Sequence, residues 1–169
     1  MKILLALLLL IAFEVSAQTP EQKLEQLDIQ LPEISPSLGS YVDVVETGKL
    51  LYLSGKGPRK PDGGYITGKL GGELTIQQGY DAAKIIAINQ IAVLKNKTGD
   101  LSKIKRIVKV NGFVNSESNF YNQPDVLNGF SDLMITVFGD AGKHSRTAVG
   151  TNTLPLNMAV EVEMVVELK

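Results

Sequence analysis

From Met158 to Leu168 the chain alternates without a break. Met158, Val160, Val162, Met164, Val166 and Leu168 are apolar, and Ala159, Glu161, Glu163, Val165 and Glu167 stand between them. Only an extended strand sends successive side chains to opposite faces, so this segment must lie in a sheet whose one face is covered by a core. The other face carries carboxylates and a valine, and the sequence alone does not say what it meets.

Two helical patterns supply the cover. Thr75 followed three residues later by Gln78 is a capping-box signature. Ile76, Tyr80, Ala83, Ala87, Ile91 and Leu94 recur at helical spacing, broadened by Ile85, Ile86, Ile88 and Val93. Lys95, Lys97 and Gly99 suit the end of that helix. A second helix opens at Gln123-Pro124-Asp125, where proline loses nothing by lacking an N–H and the acid meets the positive end of the dipole. Val126, Leu127, Phe130, Leu133, Met134, Val137 and Phe138 form its stripe, and Gly139 ends it.

The remaining strands are shorter. Tyr41 to Val45 and Leu50 to Ser54 flank Gly48-Lys49 as a hairpin, and 56–72 is a Gly- and Pro-rich loop with room for a short edge strand near Tyr65-Ile66. Ile104 to Val114 is read as a strand with Ile104, Val108, Val110 and Val114 on one face and Ile107 and Phe113 on the other. Ser145 to Gly150 is another strand, and residues 20–30 are expected to form a short helix or strand on the outside of the domain. The order β-β-α-β-α-β-β predicts an α+β fold, a mixed sheet with two long helices on one face. An uncovered sheet face with apolar residues calls for a partner, so an oligomer is expected.

Met1-Lys2, the eleven apolar residues Ile3 to Phe13, and Val15-Ser16-Ala17 read as a cleavable signal peptide ending before Gln18. That run is too short to cross a hydrocarbon layer about 30 Å thick. The expected division is residues 1–17 as signal, 18–40 as an N-terminal extension and 41–169 as the domain, with export to the periplasm or outside. The chain has no cysteine, so no disulfide can brace it. Seventeen Lys and Arg against eighteen Asp and Glu advertise neither a nucleic-acid face nor a polybasic membrane surface.

The same counts narrow the chemistry. His144 is the single histidine and there is no cysteine, so zinc sites with two or more imidazole or thiolate ligands are excluded within one chain, and a Ser-His-Asp or Cys-His arrangement has no independent support; it reads as a surface or site-rim residue. Lys103, Lys105, Arg106 and Lys109 read as solvated strand ends. What remains is Arg146 beside the last strand's carboxylates. A guanidinium matches a carboxylate through two parallel hydrogen bonds, and a partly desolvated Glu161 is suited to hold or deprotonate water. The same pair serves equally well as a salt bridge bracing two strands.

Tyr41, Leu53-Ser54-Gly55-Lys56-Gly57-Pro58, Asn128, and Ser145-Arg146-Thr147-Ala148-Val149-Gly150 through Leu154-Pro155 to Val160-Glu161-Val162-Glu163 together resemble the reactive intermediate deaminase family. That family is also called YjgF/YER057c/UK114 or L-PSP endoribonuclease. The resemblance covers about residues 38–168. Gly72 to Gly79, Gly112 to Ser116 and Asn128 to Leu133 are most similar to a less studied branch. It implies a chorismate-mutase-like fold, a homotrimer whose sheets form a central barrel, ligand clefts between subunits, and no metal or organic cofactor. It further implies hydrolysis of enamines or imines such as 2-aminoacrylate to a 2-keto acid and ammonia.

Residue by residue, the resemblance puts the carboxylate-gripping arginine at Arg146 and the water-positioning acid at Glu161, with Glu163 as the fallback. The strand-end glycine near the imine falls on Gly55, the cleft tyrosine on Tyr41 and the ligand asparagine on Asn128, although one extra residue separates Asn128 from Arg146. Ala148 stands where archetypal members often carry cysteine, and the Gly57-Pro58-Arg59 loop is altered. The alternative reading is a trimer that binds or senses small carboxylates without turnover. RNA cleavage is disfavoured by the balanced charge, and no stable membrane association is expected after signal removal.

Overall fold

The computed structural model describes residues 18–34 and 39–169; the proposed signal, residues 1–17, lies outside them. A short helix α1 (Pro20–Gln26) precedes the hairpin β1 (Val44–Thr47) and β2 (Leu50–Lys56). Then follow α2 (Ile76–Thr98), β3 (Ile104–Asn115), α3 (Gln123–Phe138), β4 (Ser145–Thr151) and β5 (Val160–Leu168). The five strands are ordered β1-β2-β5-β3-β4, antiparallel except for the parallel pair β3–β4. This is the expected mixed α+β sheet with two long helices. Residues 65–67 make only isolated bridges, from Tyr65 to Arg59 and from Thr67 to Met158.

Both helix starts follow from their caps. Thr75 and Gln78 form the reciprocal capping box, and Gly99 ends α2 with φ of 72°, a left-handed conformation that glycine adopts freely. Thr19 and Gln22 cap α1 in the same way, and Leu24 of that helix is buried in the core. Glu21 ties α1 to the body by accepting from Lys95 Nζ and the Leu101 amide, both at 2.8 Å.

The core lies between the helices and one sheet face. Phe130, Leu127 and Met134 of α3 and Ile86, Ile91 and Leu94 of α2 are fully buried with Leu51, Val110, Val160, Val162 and Val166. The β5 alternation holds from Val160 to Val166, with Leu168 partly buried against the core. Ala159, read onto the opposite face, is instead buried in the core just ahead of the strand. The reading of β3 needs correction: Ile107 joins Ile104, Val110 and Val114 in the core, and Val108 is 37% exposed. The register against β5 shifts between Ile104 and Arg106 and again between Ile107 and Lys109. Each bulge adds one residue and reverses the side-chain parity, which a strict period of two does not anticipate.

The face opposite the helices is open in a single chain. Across it run rows of paired residues: Val45, Tyr52, Val165 and Lys109; then Glu163, Asn111 and Thr147; then Glu161, Phe113 and Val149. Val45, Tyr52 and Val149 are each more than two-fifths exposed. No helix among the described residues is long and apolar enough to cross a membrane.

Candidate functional site

The ladder between β2 and β5 breaks where the chain has Ser54-Gly55. Leu53 pairs with Met164 and Lys56 with Val162, so β2 spends one more residue than β5 over that interval. A bulge leaves backbone carbonyls without ladder partners. Gln90, fully buried in the middle of α2, supplies what is missing: its Nε2 donates to Ser54 O and to Val162 O, each at 3.0 Å. Gln90 was missed in the sequence, although a polar residue among Ile86, Ala87, Ile91 and Leu94 of an apolar stripe is itself a signal.

The bulge brings Gly55 against Glu161. A Cβ on Gly55 would lie 2.2 Å from Glu161 Oε1 and 3.0 Å from its Cδ, so the carboxyl group packs directly over the glycine backbone. Burial raises the Glu161 pKa, and the like charge of Glu163 two residues on raises it further. Glu163 itself accepts a hydrogen bond from Asn111 Nδ2 at 2.9 Å.

Gly55 and Glu161 open onto a cleft of about 630 Å³ bounded by Tyr41, the 55–61 loop, Tyr65, Pro155, Met158 and the α2 residues Asn89, Ala92 and Val93. Pro32, Glu33 and Ile34 close one side. Three cations line it: Lys56, ion-paired with Asp43, together with Arg59 and Lys60. Tyr41, Gly55 and Glu161, three of the five residues singled out from the sequence, therefore meet in one place.

The other two meet elsewhere. Arg146 Nη1 donates to Asn128 Oδ1 and Ser131 Oγ, both at 3.0 Å, and Nη2 donates to Pro124 O at 3.2 Å. Burial pulls its pKa down while Asp132 and Asp125 pull it up; a guanidinium remains a cation throughout. Ser131 Oγ also lies 3.0 Å from His144 Nε2, and His144 Nδ1 lies 2.7 Å from Gly142 O. A carbonyl oxygen only accepts, so Nδ1 carries the proton, Nε2 accepts from Ser131, and Ser131 accepts from Arg146. Burial lowers the His144 pKa, as does the nearby Arg146 charge, with the Gly142 bond opposing both. A neutral imidazole fits that directed chain.

The strand-bracing Arg146–Glu161 salt bridge, and the placing of Arg146 beside the last strand's carboxylates, are both overturned. β3 separates β4 from β5. Arg146 pairs with Val110, which faces the core, while Glu161 pairs with Phe113 on the opposite face. The two side chains leave the sheet on opposite sides. Ala148 follows Arg146 on the helix side and packs against the core.

Residues 21–168 match the protein family described as "YjgF/chorismate mutase-like, putative endoribonuclease". The chain belongs to this family. It is 43% identical over 146 residues to Protein TCP17 of Trypanosoma cruzi, covering 86% of this chain and 91% of that one. The crystal structure of a Shewanella oneidensis protein given the same endoribonuclease description superposes with a TM-score of 0.86 at 36% identity, over 89% of this chain and all of the other. Protein Atu1372 of Agrobacterium tumefaciens gives 0.81 at 39% identity, over 89% and 92% of the two chains.

In this YjgF-like chain, no group of three acidic or histidine side chains among the described residues is arranged to hold a metal ion. The chemistry on offer is a Glu161 carboxyl whose pKa is raised by burial, a close-approach backbone at Gly55, and cations at the cleft wall.

The raised Glu161 pKa gives a stability test. The folded state binds this proton more readily than the unfolded chain, whose carboxyl titrates near the usual 4.5. Stability is therefore lost as pH rises from that value through the folded pKa, and the cost is fully present above it. Glu161→Gln is expected to melt slightly higher than the parent at pH 8 and at the same temperature at pH 4. The margin is small because the group is only half buried and solvent screens it. Calorimetric melts at the two pH values check this; a parent at least as stable as the variant at pH 8 contradicts it.

Proposed function

We propose that this protein hydrolyses the enamine or imine forms of small 2-amino-acid-derived carboxylates, as a homotrimer in which each cleft is completed by a neighbour. The observation that carries the reading is the Glu161 carboxyl lying over Gly55 in an open cleft, with its pKa raised by burial. An orienting cation for the substrate acid is preset at Arg146, three of whose donors are already directed by Asn128, Ser131 and Pro124. Arg146 and Glu161 leave opposite faces of one chain, so a site using both needs a second copy. The apolar rows on the open sheet face give such a copy somewhere to pack.

The chemistry needs little. The enamine tautomerises to the imine, whose carbon is electrophilic. Water adds there, Glu161 takes a proton from the water and returns it to nitrogen, and the carbinolamine expels ammonia to leave the 2-keto acid. Gly55 lets the imine approach the backbone. Arg146 of the neighbour holds the carboxylate through paired, charge-assisted hydrogen bonds.

Freshly generated 2-aminoacrylate is the test substrate. The purified protein should accelerate release of pyruvate, and Arg146→Ala should reduce that acceleration on the order of 100-fold, the scale of losing a charge-paired contact. Co-assembly of the Arg146→Ala and Glu161→Gln chains should restore part of the rate by forming some intact shared sites. A parent protein no faster than the uncatalysed reaction ends the hydrolase reading.

One observation favours a second reading, a carboxylate-binding trimer without turnover. Ala148 packs into the core and offers no polar atom to orient water. Calorimetric binding of 2-ketobutyrate without any rate acceleration would decide for it.

A further inference from the structure

The cleft holds more than a three- or four-carbon acid needs. A volume of about 630 Å³ is in the range that encloses much larger ligands. Its three cations are not equivalent. Lys56 is ion-paired with Asp43, and Lys60 lies 3.3 Å from the exposed Asp62. Arg59 is half-buried and lines the cleft, yet its guanidinium makes no hydrogen bond or ion pair with any described residue. Glu33 and Glu161, the carboxylates of the same wall, are not paired with it.

The backbone beneath Arg59 is held firmly. Its amide donates to Gly57 O at 2.9 Å, and its carbonyl accepts from Asn89 Nδ2 at 3.2 Å. It forms an antiparallel bridge with Tyr65 across the turn, and the Ile66 amide donates to Pro58 O at 3.1 Å. Gly57 sits against Met158, where a Cβ would lie 2.0 Å from the sulfur. A fixed backbone carrying an uncommitted, half-desolvated guanidinium is how a protein presents a planar fork to a carboxylate.

We propose that the substrate or ligand is a dianion: a 2-imino or 2-keto acid whose far end bears a second carboxylate, and that Arg59 is the specificity-determining residue that binds it. The inference rests on the proposed reading of the cleft as a small-carboxylate site, in which Arg146 takes the carboxylate beside the reacting carbon. Arg59 takes the distal one. The apolar walls from Tyr41, Tyr65 and Met158 accommodate the methylene chain between the two ends.

Titration calorimetry with two acids of equal chain length isolates the second carboxylate: 2-ketoadipate, which has it, and 2-ketohexanoate, which does not. The parent protein should bind 2-ketoadipate about tenfold more tightly or better, a preference that weakens with added salt. Arg59→Met should abolish the preference by weakening 2-ketoadipate, and Arg146→Ala should weaken both acids. Lys60→Met should leave the preference in place. Equal affinity for the two acids, or a preference that survives Arg59→Met, overturns the proposal while the carboxylate site itself stands. Failure of both acids and of 2-ketobutyrate to bind overturns both together.

Discussion

Gly129→Val is expected to prevent folding, and Gly129→Ala to lower the melting temperature by about 6–12 °C. The reason lies where α2 crosses α3. A Cβ built on Gly129 would sit 2.0 Å from Tyr80 O, 2.8 Å from Tyr80 C and 3.1 Å from Tyr80 Cα. Each of these atoms is backbone of the facing helix, so no rotamer change relieves the contact and the helices themselves must part. Parting them unpacks Phe130, Leu127, Ala83 and Ile86, all fully buried. The Tyr80 hydroxyl, donating to Asp132 Oδ2 at 3.0 Å, holds the crossing from the other side. Overpacking of a rigid site costs about 3 kcal/mol, and at this chain length each kcal/mol shifts the midpoint by about 2–4 °C. Gly79, at the same crossing, makes a useful contrast. The three atoms nearest its added Cβ belong to the side chains of Leu70 and Val126, which can yield, so Gly79→Ala should lose less than Gly129→Ala. Circular-dichroism melts of the three proteins check the ranking; a Gly129→Ala midpoint within about 2 °C of the parent would show that the helices separate easily.

How much of this was legible in the sequence depends on whether the determinant was local. Thr75 and Gln78, Gly99 and Pro124 act within a turn of their own positions, and they mark the long helices to the residue. The β5 alternation is equally local and holds from Val160 to Val166, although Ala159, just before the strand, is in the core and not on the opposite face. Val108 and Ile107 exchanged faces because the parity of β3 is set by bulges formed against β5, some 60 residues away. The site divides the same way. Gly55 and Glu161 were named separately, and their direct stacking follows from the β2–β5 pairing. Arg146 and Glu161 seemed neighbours because β4 and β5 are consecutive in the chain, yet β3 inserts between them. Strand order is a property of the whole sheet, and periodicity does not encode it. Gly129 belongs with these: it stood inside a recognised segment, but its purpose depends on what crosses above it.

Gln90 joins the fold to the site, and Gln90→Leu is expected to harm both. Leucine has nearly the same volume and no donor. The variant leaves Ser54 O and Val162 O without the hydrogen bonds that the broken ladder cannot provide, at about 1–3 kcal/mol for each carbonyl cut off from water. One term runs the other way, because Gln90 Oε1 is itself buried without a partner and leucine removes that penalty. The net loss is about 1–3 kcal/mol, or a midpoint lowered by roughly 2–12 °C. Stability alone would not separate this role from ordinary packing, so the comparison is with Met134→Ala, a fully buried position on α3. At a temperature where both variants are fully folded, Met134→Ala should bind 2-ketobutyrate like the parent. Gln90→Leu should bind it more weakly, because the bulge that lays Gly55 under Glu161 has lost the amide that clamps both of its strands. Equal binding by the two variants would mean that the bulge keeps its shape through strand pairing alone, and that Gln90 serves the core and not the cleft.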